Sequence, residues 1–325
     1  MIISRTPLRV SFVGGGTDMA WFYKRQPGAV VSTTIDKYVY VVVNKRIDQK
    51  IQFCYTNTET VDWVDDLEHG LTREALKLVG LKSGINITSI EDIASGSGLA
   101  SSGAYTVGLL NALNSFLGKR TSKEKLAKDA CEVEIERVKR PIGKQDQYAE
   151  VFGGLNYIQF NPDESVFVEP IRMKESTKRR LQENILLLYT GATGTSSRVL
   201  SRQKKSVESR KDKQQFMSKM AKLAREMRDT LRLNKVDSFG ELLHENWMLK
   251  KSLAEGITNP AIDKWYNLGI ENGAIGGKIC GAGGRGFLLL YAPKTNHKKI
   301  ILALKNLKPV AFSFESQGSR IIYEE

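Results

Sequence analysis

The sequence predicts an α+β fold in two domains, and three observations carry the prediction: a length of 325 residues, a first half in which β-branched segments alternate with helical ones, and a change of composition near Lys174. A chain this long exceeds one average domain and suits two, each burying its own core, so a cleft between two lobes is the starting expectation. The bulk composition, 41% hydrophobic and 26% charged, belongs to a folded globular chain rather than a disordered one.

Taken in order, Ile2 to Val13, Val30 to Ile35, Tyr38 to Lys45, Ile51 to Tyr55 and Ile85 to Ile90 are rich in β-branched and aromatic residues and read as strands. Two helices follow. The first runs from Ser101 to Leu117 with Val107, Leu110, Leu113 and Leu117 at helical spacing. The second starts at a capping-box pair, Thr121 and Glu124, and carries Leu126, Ala130 and Val133 on one face. A turn at Pro141 to Gly143 leads to a strand over Leu155 to Phe160. Beyond Lys174 come the charged Lys178, Arg179 and Arg180, a strand over Ile185 to Tyr189, and helices from Ser197 to Asn272. Strands at Lys278 to Cys280 and Phe287 to Ala292, a helix near Lys298 to Leu307, and strands near Val310 to Phe314 and Arg320 to Tyr323 complete an α+β second domain. The domains expected are therefore 1–177 and 178–325.

The longest apolar runs fall short of the roughly 18 residues that cross a bilayer. Polar and charged residues interrupt the N-terminus where a signal peptide would be apolar, and Cys54, Cys131 and Cys280 form no CxxC pair. A cytoplasmic protein with reduced thiols and no membrane partner is expected. The net charge of +13 admits nucleic acid, an anionic surface or anionic small substrates. Between Arg198 and Arg228, however, basic residues alternate with Val199, Leu200, Phe216, Met217, Met220, Leu223 and Met227. That is the pattern of amphipathic helices with one solvated face, and a nucleic-acid partner is not expected.

Three segments are richer in glycine and serine than a core element tolerates. Ser95 to Ala104 joins a strand to a helix, an arrangement in which backbone N–H groups approach a phosphate and the helix N-terminus attracts its charge. By itself it reads equally as a plain loop with Ser101 as helix cap. No Lys-Ser or Lys-Thr follows the glycines, so it is not a Walker A loop. Gly281 to Gly286 matches G-x-G-x-x-G but runs into the strand Phe287 to Tyr291 rather than opening a helix, which leaves a tight connection lining a cleft. The third segment, Pro7 to Asp18, sets Arg9 and Asp18 around a Gly-Gly-Gly bend. Phosphorylating an alcohol requires donors for the nucleotide, a metal and a carboxylate at the hydroxyl. Glu134 and Asp146 are candidates, with Lys144 near enough in sequence to keep Asp146 ionised; a solvated helix residue and a helix cap are the alternative readings. His69, His244 and His297 form no zinc-site pattern.

In this order the three segments resemble the GHMP kinases, the family of galactokinase, homoserine kinase, mevalonate kinase and phosphomevalonate kinase, over nearly the whole chain. The family's loop P-x-x-x-G-L-x-S-S resembles Ala94 to Ser102, with alanine in place of the proline, and its G-x-x-D-Q turn resembles Gly143 to Gln147. The resemblance implies a ribosomal-S5-like N-terminal lobe, a ferredoxin-like C-terminal lobe, and ATP bound between them. It implies that Gly96, Ser97, Gly98, Leu99, Ala100, Ser101 and Ser102 hold the nucleotide, that Ser102 and Glu134 hold Mg²⁺, and that Asp146 is the base with Arg9 and Lys144 beside it. Asp18, with Gly15, Gly16 and Thr17 of the same bend and Gly283 and Gly284, is implied at the substrate; Gly15-Gly16 departs from galactokinase's Glu-His pair and argues against galactose. Within the family, Thr6 to Asp18, Ile35 to Tyr40, Ile142 to Tyr157 and His244 to Trp247 with Leu249 to Lys251 resemble the members that phosphorylate D-glycero-D-manno-heptose 7-phosphate at the anomeric hydroxyl. The partners implied are ATP and a sugar phosphate, whose own phosphate is assigned to Lys250, Lys251 or Arg198. Another sugar such as fucose or unphosphorylated heptose, or a nucleic-acid-binding S5-like protein, is the alternative; oligomeric state is left open, a homodimer included.

Overall fold

The structure, a computed structural model, describes residues 1–194 and 197–325. Among the described residues the strands form two sheets. In the first, β1 (Ile2–Val13) runs antiparallel to the 18-residue β2 (Gly28–Lys45). The C-terminal half of β2 pairs with β5 (Ile85–Glu91) and its N-terminal half with β6 (Leu155–Phe160). β3 (Ile51–Cys54) lies parallel to β5 and carries β4 (Thr58–Val61), while β7 (Val166–Pro170) extends β6. The strands expected at Val30 to Ile35 and Tyr38 to Lys45 are thus one strand. Its register slips at Asp36 and Lys37, opposite Pro7, which has no N–H to give the ladder.

The second sheet is antiparallel, in the order β11 (Lys308–Pro309), β8 (Ile185–Tyr189), β10 (Phe287–Tyr291), β9 (Gly276–Ile279). The strands expected to close the second domain do not stay with it. Only Lys308–Pro309 pairs with β8; β12 (Phe314–Glu315) pairs with β2, and β13 (Arg320–Glu324) lies along β1. Thr6 and Ser319 hydroxyls, 2.7 Å apart, help hold this return.

The helices are α1 (Ala20–Tyr23), α2 (Gly70–Val79), α3 (Ser101–Phe116), α4 (Lys123–Cys131), α5 (Gln145–Phe152), α6 (Glu175–Glu183), α7 (Ser197–Ser209), α8 (Lys211–Arg232), α9 (Phe239–Lys251), α10 (Pro260–Glu271) and α11 (His297–Ala303). Helix α2 has no counterpart in the sequence reading, because its cap is a histidine: the His69 ring accepts from the Thr72 amide, a signal outside the usual Ser, Thr, Asp and Asn set. The cap of α4 is Ser122, not Thr121; its hydroxyl accepts from the Lys125 amide. Past Cys131 the chain continues as a π-helical stretch over Glu132–Arg137, a form that often marks a functional site.

Helix α3 positions the site. It is apolar nearly all round and buried accordingly, with Val107, Leu109, Leu110 and Leu113 each fully inside, worth about 1.5–3 kcal/mol apiece. Gly108 lets it approach β1: the Gly108 carbonyl accepts from the Ser4 hydroxyl at 2.7 Å, and a Cβ there would sit 2.8 Å from Thr6 Oγ1. The apolar face of α8, Met217, Met220, Leu223 and Met227, is also buried. No described helix is long and apolar enough to cross a membrane.

Candidate active site

The loop between β5 and α3 is held in conformations that most residues avoid. Gly96 and Gly98 have φ of 77° and 90°, and Ala100, a non-glycine residue at 68°, directly precedes α3. Such backbone persists only where its surroundings hold it. Arg9 holds this one from β1, its amide bonding the Leu99 carbonyl at 3.2 Å and its guanidinium the Gly98 carbonyl at 2.9 Å. From the other side Gly281 to Gly286 closes on the loop: a Cβ on Gly98 would meet the Cys280 carbonyl at 2.7 Å, and one on Gly286 would run into the Ser97 carbonyl. Gly96, Gly98, Ala100, Ser101 and Ser102 line the cleft. Ser97 and Leu99 do not, because Leu99 is a core residue and Ser97 is covered by Gly286. The Ser101 hydroxyl is buried without a partner. Together with the free first-turn amides of α3 it forms a seat for an anion.

Arg9 and Asp146 meet across this seat, Arg9 Nε donating to Asp146 Oδ1 at 2.8 Å. Burial works against the guanidinium's charge, but Asp146 outweighs it and keeps the Arg9 pKa above its ordinary value. Lys144 does not supply the cation expected beside Asp146. It turns to Glu164 and lies 4.8 Å over the Tyr23 ring, outside the cleft, since the turn before α5 points it away.

Asp18 is buried in the glycine bend, accepting from the Gly16 amide at 2.8 Å and from the Gln145 side chain at 3.2 Å. Burial first, and the Asp146 charge second, raise its pKa above the usual carboxylate range. Gly143 is required here because a Cβ would run into the Asp18 carboxylate. Gly15 and Gly16 line the cleft, but Thr17 does not. Its hydroxyl bonds the Gly14 and Ala29 carbonyls at 2.9 Å and so fastens the bend to β2. Of the later glycines Gly283 lines the cleft, whereas Gly284 packs on the Gly256 carbonyl.

Glu134 is fully buried below Ser102, whose hydroxyl reaches its Oε2 at 3.4 Å; Arg140 donates to the same oxygen at 2.7 Å and Gln147 to the other at 2.7 Å. Burial raises the Glu134 pKa even so. Lys251 pairs with Asp263 at 3.7 Å and Arg198 is exposed on α7, so neither faces the cleft, while Lys250 does.

Arg140, Gln145, Lys278 and Glu150 were not among the candidates read from sequence. Lys278 lies in the strand beside the last glycine-rich segment, and Gln145 and Glu150 lie in the Ile142 to Tyr157 stretch, whereas Arg140 falls outside every such segment. Glu150, one turn after Asp146, is fully buried and neither carboxyl oxygen has a hydrogen-bond partner. Burial, then the Asp146 charge, pushes its pKa well up, against the opposing pull of Arg9. An acid whose folded pKa is raised favours folding below its ordinary pKa, and that contribution is lost as pH rises toward the folded value. Glu150→Gln is therefore expected to leave Tm nearly unchanged at about pH 4.5 and to raise it by a few °C at about pH 8. Melting curves across that range check this, and an equal shift at both ends would show that Glu150 is not held neutral.

The described chain carries the marks of one family along its length. The GHMP kinases N terminal domain matches residues 69–154 and the GHMP kinases C terminal domain matches residues 223–309. The chain is 29% identical over 331 residues to a D-glycero-alpha-D-manno-heptose 7-phosphate kinase from Campylobacter jejuni, covering 98% of this chain and 97% of that protein. It is 24% identical to a galactokinase from Pyrococcus furiosus over 97% of this chain and 96% of that one. The crystal structure of a D-glycero-D-manno-heptose 1-phosphate kinase from Bacteroides thetaiotaomicron superposes with a TM-score of 0.82 at 24% identity, covering 100% of both chains, a likeness of fold. With two α+β lobes of this architecture and both family domains in order, the protein belongs to the GHMP kinase family and is a phosphotransferase.

Proposed function

We propose that the protein is an ATP-dependent sugar kinase that transfers the γ-phosphoryl group to the anomeric hydroxyl of D-glycero-D-manno-heptose 7-phosphate, giving heptose 1,7-bisphosphate for nucleotide-activated heptose in the cytoplasm. The observation that carries the reading is the Arg9–Asp146 pair, set between the phosphate loop and the Asp18 bend. The named activity of the Campylobacter relative supports the sugar. The name of the Bacteroides structure places the resident phosphate at the other end of the same sugar, so the position of transfer is what an experiment must decide. Residues 1–177 are proposed as the nucleotide-seating lobe and 178–325 as its partner, with β12 and β13 strapping the end of the chain to the first sheet.

The loop amides and the Ser101 hydroxyl receive nucleotide phosphate oxygens. Asp18 and the Gly15–Gly16 bend orient the sugar, and Gly283 borders it. Arg9 occupies one Asp146 oxygen and leaves the other to the acceptor hydroxyl. As that hydroxyl oxygen bonds to the γ-phosphorus and the bond to the ADP oxygen breaks, its proton passes to Asp146. The donors present suit Mg²⁺: Ser102 Oγ and a Glu134 oxygen lie 3.4 Å apart beside the seat, and this ion takes one or two protein oxygens with phosphates and waters in its other positions. Bound there, it would supply neutralisation of phosphate charge.

Measuring ADP release over a panel of heptose 7-phosphate, heptose 1-phosphate, free heptose, galactose and fucose, with Mg²⁺ titrated at fixed ATP, tests the proposal. Heptose 7-phosphate is expected to give the highest kcat/KM with an absolute Mg²⁺ requirement. Faster turnover of any other sugar would replace the substrate, and a metal-independent rate would remove Ser102 and Glu134 from their role.

A further inference from the structure

We propose that Lys250 and Lys278 form an anion subsite at the acceptor end of the cleft, built to hold a phosphate that the acceptor already carries. The proposal rests on the sugar-kinase reading and assigns residues to the substrate's far end.

Both lysines are buried, at 5% and 4% exposure, and both line the cleft. Lysine is almost never buried without a paired charge. Yet Lys250 Nζ donates only to neutral oxygens, the Gly15 carbonyl at 3.1 Å and Gln203 Oε1 at 2.9 Å, and Lys278 Nζ to the Ser11 carbonyl at 2.7 Å. No carboxylate among the described residues lies within 4.0 Å of either ammonium, whereas two other cations of the cleft wall, Arg9 and Arg140, are paired with Asp146 and Glu134. An ammonium has three donors, so donors remain on both. The buried Ser11 hydroxyl, also without a partner, adds one more.

Position decides which anion. Arg9 marks the phosphate loop, and Ser11 lies two residues further along the same face of β1, about 7 Å away. Lys278 bonds at Ser11, and Lys250 bonds at the bend that carries Asp18. The two ammonium groups therefore border the acceptor's bend rather than the loop where the nucleotide phosphates sit. Burial, opposed for Lys250 by Asp18, pushes the pKa of each down to about 8. An arriving dianion reverses that shift, so its binding takes up protons at mildly alkaline pH.

The test uses the full chain, saturated with a non-hydrolysable ATP analogue, and inorganic phosphate as the calorimetric probe in two buffers of different ionisation enthalpy. Wild type is expected to bind phosphate with net proton uptake at about pH 8.5 and little at about pH 6.5. Lys250→Met and Lys278→Met are each expected to weaken phosphate binding about tenfold or more and to raise the KM for heptose 7-phosphate about 10–100-fold, with the KM for ATP and the Tm little changed. Unchanged phosphate affinity in both variants, or wild-type binding without proton uptake, overturns the subsite. A rise in the ATP KM instead of the acceptor KM assigns the lysines to the nucleotide and also overturns it. If wild type does not phosphorylate heptose 7-phosphate, the proposed substrate falls, and the phosphate calorimetry alone then decides the subsite.

Discussion

Asp146→Asn is expected to lower kcat by about 10²–10⁴-fold while nucleotide binding is retained. The asparagine keeps the size of the side chain and an oxygen for Arg9 Nε, now 2.8 Å from Asp146 Oδ1, but it cannot accept the acceptor's proton. It also removes the only ion-pair partner of the Arg9 guanidinium among the described residues, and Arg9 is nearly inaccessible to water. Some loss of stability should accompany the kinetic effect, limited because the Gly98 carbonyl still accepts from Arg9. Single-turnover rates, binding of an ATP analogue and melting curves separate the two consequences. A variant retaining more than about a tenth of wild-type turnover lies below the range for general-base assistance and would reduce Asp146 to an anchor for Arg9.

Gly98→Val is expected to weaken ATP binding and turnover about 10–100-fold, with a smaller effect on the acceptor. Two costs coincide at this position. A φ of 90° is a region that β-branched residues avoid, at about 1–3 kcal/mol. In addition, the new Cβ would lie 2.7 Å from the Cys280 carbonyl, so the phosphate loop and the Gly281 to Gly286 connection could not keep their present approach. Comparing KM for ATP and for the sugar, with Gly96→Ala as a second loop variant, checks the assignment. An unchanged ATP KM in both would mean that the loop does not seat phosphate.

The pH dependence of Glu150→Gln and the Lys278 half of the lysine subsite concern residues to which the motifs gave no role, and the reason is physical. A buried carboxyl one turn past Asp146 looks in sequence like any polar helix residue; only the packing of α5 against α3, with the Glu150 oxygen at the face of Gly103, buries it. Lys278 looks like a strand residue, and only the pairing of β9 with β10 turns it toward Ser11.

Sequence by itself determined the α+β class, most strands, the long helices and the three glycine-rich segments, because alternation, helical spacing and glycine content are local properties that survive into the fold. It also marked Asp146, Arg9, Asp18, Ser102 and Glu134, through motifs whose spacing is part of the chain. What the tertiary structure decided is everything that depends on distant segments meeting. Arg9, rather than Lys144, is the partner of Asp146, since long-range strand pairing and the α5 turn aim them so. Thr17 fastens a bend instead of touching the cleft. The last strands return to the first sheet, since β1 and β2 still offered free backbone donors and acceptors along their edges and a β-edge is satisfied by whichever segment can reach it.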